Sequence, residues 1–193
     1  LSGATPTASG PVDAAVLQLD GDDEDDLIVA CAGDGLVQAD GSLFGELQIF
    51  EHATGFVGDF MQVAAVTVNG KPGQVKPGSV GSGKAGQRAA ATLLGLNELV
   101  VIEESGGVWS EQQRIPVGSE PFDLVMNDLD GDGLDDVLVG NSGSNTVSVL
   151  LGQSDGTLGD PQMFEAGASP QGLTLLDYDG DGDHDLAYRS YNE

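Results

Sequence analysis

Short apolar stretches alternate along this chain with turn-forming glycine, aspartate, asparagine and proline, and three pairs of them flank an acidic segment. Ala14–Leu17 and Leu27–Ala30 bracket Gln18–Asp26 (QLDGDDEDD), Phe122–Met126 and Val137–Val139 bracket Asp128–Asp136 (DLDGDGLDD), and Leu173–Leu176 and Leu186–Tyr188 bracket Asp177–Asp185 (DYDGDGDHD). Apolar runs this short, rich in β-branched residues and bounded by turn residues, predict strands. The repeated unit therefore reads strand, acidic loop, strand. Capped helical periodicity is nowhere evident.

The second and third acidic loops are 49 residues apart, and Gly118 and Pro121 precede Gly167 and Pro170 by the same interval. Further strands follow each loop, such as Thr146–Leu151 and Gln162–Glu165, with turns at Ser154–Gly156 and Gly159–Pro161. A fourth unit lies in the middle: Asn97–Glu104 (NELVVIEE) aligns with Asn145–Gly152 (NTVSVLLG) at an offset of 48. About four short strands repeated in this way predict an all-β fold of β-propeller blades, each of four antiparallel strands. The expected blades cover about 12–66, 72–117, 121–166 and 170–193, three blades and the start of a fourth within one repeat domain spanning 1–193. The remaining blades are expected from the rest of a longer chain or from another subunit.

Charge sharpens the picture. Thirty-two acids against six Lys and Arg give a net charge of −26, which argues against nucleic-acid or anionic-membrane partners. No run is long and apolar enough to predict membrane insertion by a helix. Residues 1–60 hold 12 acids and no base, 61–120 hold 5 of each, and 121–193 hold 15 acids and Arg189 alone. Half of all the acids fall in the three nine-residue loops, 6 in the first and 5 in each of the others. The lone thiol, Cys31, between two alanines, reads as a small core residue.

The loops have the chemistry of a hard-cation site. Calcium takes six to eight oxygen ligands, which a short loop supplies from carboxylates at alternate positions with glycines bending the backbone. Asp128, Asp130, Asp132 and Asp136 occupy positions 1, 3, 5 and 9 of the second loop, with the Leu134 carbonyl at position 7. Asp177, Asp179, Asp181 and Asp185 repeat this in the third, with Asp183 at position 7. The first loop keeps Asp20, Asp22 and Asp26, places Glu24 at position 7, and carries the uncharged amide of Gln18 at position 1. Carboxylates this close repel one another without a cation between them. Two to three bound calcium ions are expected. The middle unit has Val80, Ser82, Lys84 and Arg88 at positions 1, 3, 5 and 9, so a fixed cation or a plain turn takes the metal's place there.

Acidic Asp-Gly segments are commonly solvated turns, but three copies in matching strand contexts favour a site. A helix–loop–helix calcium hand also opens DxDxDG, yet needs a bidentate Glu at position 12. Val29, Val139 and Tyr188 stand there.

These loops, with the apolar strand after each, resemble the FG-GAP/VCBS repeat family, whose blades build the integrin α-subunit propeller and many bacterial secreted proteins. The resemblance implies calcium held between two strands of a blade through positions 1, 3, 5 and 9 and the position-7 carbonyl. It implies a secreted or cell-surface setting, extracellular or periplasmic, and a role in contact with protein or carbohydrate. Gln18 departs from the family pattern, and the Phe-Gly and Gly-Ala-Pro signatures are absent or blurred, which places the chain nearer the bacterial type.

No catalytic motif stands out. His52 and His184 lie in no nucleophile or zinc pattern, and His184, at loop position 8, is expected to face solvent. Gly81-Ser82-Gly83-Lys84 lacks the hydroxyl residue of a phosphate-binding loop, because Ala85 follows. Trp109, Phe122 and Tyr178 read as core aromatics rather than sugar-stacking faces. The leading expectation is a calcium-stabilised, non-catalytic interaction module. An accessory part of a secreted polysaccharide-degrading enzyme and a structural subunit of an extracellular assembly are the alternatives.

Overall fold

Every described element is a β-strand, and the strands form four antiparallel sheets in chain order. The computed structural model of the chain describes residues 10–17, 25–33, 44–52, 60–78 and 88–191. The first sheet contains β1 (Pro11–Leu17), β2 (Asp26–Cys31), β3 (Phe44–His52) and β4 (Phe60–Asn69). The second contains β5 (Lys71–Gly78), β6 (Arg88–Leu94), β7 (Glu98–Ser105) and β8 (Val108–Pro116). The third contains β9 (Pro121–Asn127), β10 (Asp136–Asn141), β11 (Thr146–Leu150) and β12 (Gln162–Glu165). The fourth pairs β13 (Gln171–Leu176) with β14 (Asp185–Arg189).

Each sheet is a meander, and consecutive sheets stack face to face as propeller-like blades. Strands β1, β2 and β3 pack on β5, β5 and β6 on β9, and β9 and β10 on β13. The alternation of side chains follows from this stacking. In the second sheet Ala89, Ala91, Leu93, Val100 and Ile102 face the first sheet, whereas Ala90, Leu99 and Val101 face the third. Strands covered on both faces read as continuous apolar runs, which is why the middle strands are so uniformly hydrophobic. The alanines of β6 let the sheets approach closely, and truncating a large core residue such as Leu124 to Ala would cost about 2–5 kcal/mol.

A relay of side-chain acceptors ties one sheet to the next along the first strands. Asp13 accepts from the Val75 backbone N–H (2.9 Å), Gln74 from Leu124 N–H (3.0 Å) and Asp123 from Leu173 N–H (2.6 Å). The three acceptors are equivalent in register, because Ala14, Val75 and Leu124, each one residue further on, pair with Val29, Ala91 and Val139 of the second strands. A second link recurs at the turns. Asn97 and Asn145, both in left-handed conformation, use their Oδ1 to accept from Glu120 N–H (3.0 Å) and Ser169 N–H (2.8 Å), at the entry to the following sheet. Asparagine is one of the few residues with a side chain that adopts this conformation readily.

Candidate metal centre

Loops 128–136 and 177–185 each join the first strand of a sheet to the second, and their backbones are bent by the same hydrogen bonds. Asp128 Oδ1 accepts from Gly131 N–H (2.8 Å) and Asp132 N–H (3.1 Å), and its Oδ2 accepts from Gly133 N–H (2.9 Å). Asp177 does the same for Gly180 N–H (2.7 Å) and Gly182 N–H (3.3 Å). The wrap around the position-1 carboxylate requires left-handed backbone at Gly131 and Gly133, and at Gly180 and Gly182, with φ between 77° and 93°. Glycine adopts that region without steric cost.

The position-9 residue closes the loop from the other side. Asp136 is 1% exposed, with Oδ2 accepting from Leu129 N–H (2.8 Å) and Oδ1 from Gly152 N–H beyond the third strand (2.7 Å). Asp185 repeats the first bond through Tyr178 N–H (2.8 Å). In the first sheet Asp26 is 2% exposed and accepts from His52 N–H (2.9 Å), the register equivalent of Gly152. The other first-loop candidates, Gln18, Asp20, Asp22 and Glu24, lie outside the described residues.

Positions 1, 3 and 9 converge. One carboxylate oxygen from each of Asp128, Asp130 and Asp136 lies within 4.8 Å of the others, and Asp177, Asp179 and Asp185 form the same triad. Oxygens held about 2.3–2.6 Å from a calcium ion are separated by at most about 5.2 Å, so the spacing fits that cation. The all-oxygen donor set is also the one a hard cation prefers. Position 5 stands outside both triads, although its carboxylate makes the same bond to the N–H two residues on as position 3 does: Asp132 Oδ1 accepts from Leu134 N–H (2.8 Å) and Asp181 Oδ1 from Asp183 N–H (2.9 Å). Leu134 is half-buried and Asp183 exposed.

The second sheet shows what stands in for an acid at position 9. Arg88 forms an ion pair with Glu103 of β7 (2.6 Å) and donates to the Gly156 carbonyl in the third sheet. Gly156 has φ +86°, and a Cβ there would sit 2.7 Å from the guanidinium. The cation is thus a bridge between sheets; Lys84 lies outside the described residues.

Some expectations need revision. Phe122 is 46% exposed and Tyr178 is 84% exposed, so neither is a core aromatic; Trp109 packs against the core between the first and second sheets. In an edge strand or loop, one face of an apolar position meets water. His184 is exposed, and Cys31 is buried, its thiol pKa raised by burial and by nearby Glu46. Sequence reasoning missed the relay acceptors Asp13, Gln74 and Asp123. The signal was present in Pro11-Val12-Asp13 and Pro121-Phe122-Asp123, which place an acid at the same point of two first strands.

The geometry defines an all-β repeat protein with acidic loops between strands one and two of its sheets. Residues 128–188 match the FG-GAP-like repeat model, so this stretch is similar to an FG-GAP-like repeat. No curated protein matches the chain. Among solved structures, a functionally unknown protein from Desulfotomaculum acetoxidans DSM 771 is similar at 14% identity and a TM-score of 0.62, over 89% of this chain and 47% of that one. The periplasmic gluconolactonase PpgL of Pseudomonas aeruginosa aligns at 23% identity and a TM-score of 0.47, over 79% of this chain and 41% of that one. This chain therefore spans about half the length of either.

Proposed function

We propose that the chain is a calcium-binding propeller module of an extracellular or cell-surface protein, in which the metal holds the acidic loops in shape and the blades serve contact with a protein or glycan partner. One observation carries the reading. Two loops 49 residues apart build the same carboxylate triad on the same backbone hydrogen bonds. Asp128, Asp130 and Asp136 would hold one ion, and Asp177, Asp179 and Asp185 a second. Asp132, Asp181 and the position-7 carbonyls of Leu134 and Asp183 are within the same loops to complete the oxygen shell. Asp20, Asp22 and Asp26, with Gln18 and Glu24, are proposed for a third ion. Calcium supplies the positive charge that lets such carboxylates stay ionised side by side. The role assigned to the metal is structural, and the proposed task is binding rather than turnover.

A ligand that binds only the folded state raises stability by mass action, by about 2.7 kcal/mol per site at a free concentration 100 times its Kd. Thermal unfolding should therefore shift upward with free calcium and fall back in chelator, while magnesium at equal concentration has a smaller effect. A melting temperature indifferent to calcium would remove the metal from this role.

A further inference from the structure

The relay of acceptors stops at the fourth sheet, where Gly172 precedes Leu173 as Asp13, Gln74 and Asp123 precede Ala14, Val75 and Leu124. Beside it a cavity of about 410 Å³ opens between β5, β9 and β13, with Gln74, Lys76, Asp123, Met126, Gly172 and Leu173 in its wall. That volume is in the range of small-molecule sites, roughly 300–1,000 Å³.

The charges in this wall are unevenly committed. Asp123 is buried, and its two oxygens already accept from Leu124 N–H (3.0 Å) and Leu173 N–H (2.6 Å). Lys76 is half-buried and, among the described residues, makes no ion pair. It is one of only six Lys and Arg against 32 acids. Arg88 and Arg114 are held by glutamates, whereas Arg189, whose guanidinium packs against Gly172 at the edge of the same wall and near the Tyr191 ring, makes no ion pair among the described residues. Gln74 Oε1 is fixed on Leu124 N–H, which orients the amide and leaves its NH2 as a donor. Met126 and Leu173 supply apolar wall. A cation and an amide donor beside an apolar surface match a small molecule with a carboxylate, a neighbouring hydroxyl and a CH face.

We propose that this cavity binds a hexuronate-class sugar acid, its carboxylate paired with the Lys76 ammonium and a hydroxyl with the Gln74 amide. The assignment names the ligand class for the glycan contact proposed above and rests on that reading, although the cavity shares no residue with the acidic loops.

The test is a calorimetric or NMR titration of the calcium-saturated protein with D-glucuronate and, separately, D-glucose. Glucuronate should bind saturably and glucose at least about tenfold more weakly, since a charge-assisted hydrogen bond separates them. Lys76→Gln should weaken glucuronate about tenfold or more with the melting temperature unchanged, and Lys76→Arg should recover most of the loss. Glucuronate binding abolished by Asp130→Ala but unaffected by Lys76→Gln would place the uronate on loop calcium and overturn the proposal. Absence of glucuronate binding, equal binding of glucose, or unaltered affinity in Lys76→Gln would overturn the proposal, whatever calcium does to stability. A flat melting response to calcium with Lys76-dependent glucuronate binding would leave this site standing and remove the metal.

Discussion

At the level of single residues the acidic loops contain carboxylates with separable duties. Asp136 is buried and satisfies two backbone N–H groups, so its loss strands both donors inside the protein. Asp130 is exposed and accepts a single bond, from Asp132 N–H at 3.2 Å. In chelator, Asp136→Ala should destabilise by about 2–4 kcal/mol and Asp130→Ala by less than about 0.5 kcal/mol. With calcium present, Asp130→Ala should lose the part of the metal-dependent rise that belongs to its own loop and keep the rest; denaturant unfolding under both conditions separates the two. Further out, Asp155 in the turn before β12 accepts from the Thr157 hydroxyl (2.7 Å) and backbone N–H (3.0 Å), which lowers its pKa. A carboxylate lowered in the folded state adds stability above its unfolded pKa and loses it as pH falls through the folded value. Thr157→Val should therefore move the Asp155 midpoint upward in a carboxyl NMR titration.

Elements are where legibility from sequence divides. Strand, loop and strand could be read from apolar runs around DxDGDG because each covered strand is hydrophobic on both faces, as β10 is throughout. The candidate ligands at positions 1, 3 and 9 were equally visible, since the same alternation of acids and glycines recurs in matching strand contexts. The relay was not, because a polar residue in a first strand, such as Asp13 or Gln74, looks in one dimension like any solvent-facing position. Only stacking reveals that its partner is an N–H 62 or 50 residues away. Nor could spacing tell that positions 1, 3 and 9 converge while Asp132 and Asp181 stand outside the two triads. Asp123→Ala leaves Leu173 N–H without its acceptor, whereas Leu124 N–H keeps Gln74 Oε1, and should cost about 1–3 kcal/mol by denaturant unfolding. Asp123→Asn, which keeps one oxygen, should cost less.

For the whole molecule, the pattern is a row of stacked sheets, with an acidic loop between the first two strands of the third and of the fourth, and Arg88 of the second reaching across to the third. Arg88 bridges to the Gly156 carbonyl without any metal, so the junction of the second and third sheets should survive chelation. Amide exchange in chelator should accelerate in 128–136 and 177–185 before it does in β6 and β7. Cys31 reports on the same hierarchy: buried, with a raised thiol pKa, it should resist alkylation while the first sheet is intact.

Whether the acidic loops hold calcium is decided by calorimetric titration of the chelator-stripped protein with the metal, alongside Asp130→Ala and Asp179→Ala. Two to three saturable sites in the parent chain, with each variant losing one, are the predicted result. No saturable binding, or a site count unchanged in both variants, would contradict the assignment of these loops as calcium sites.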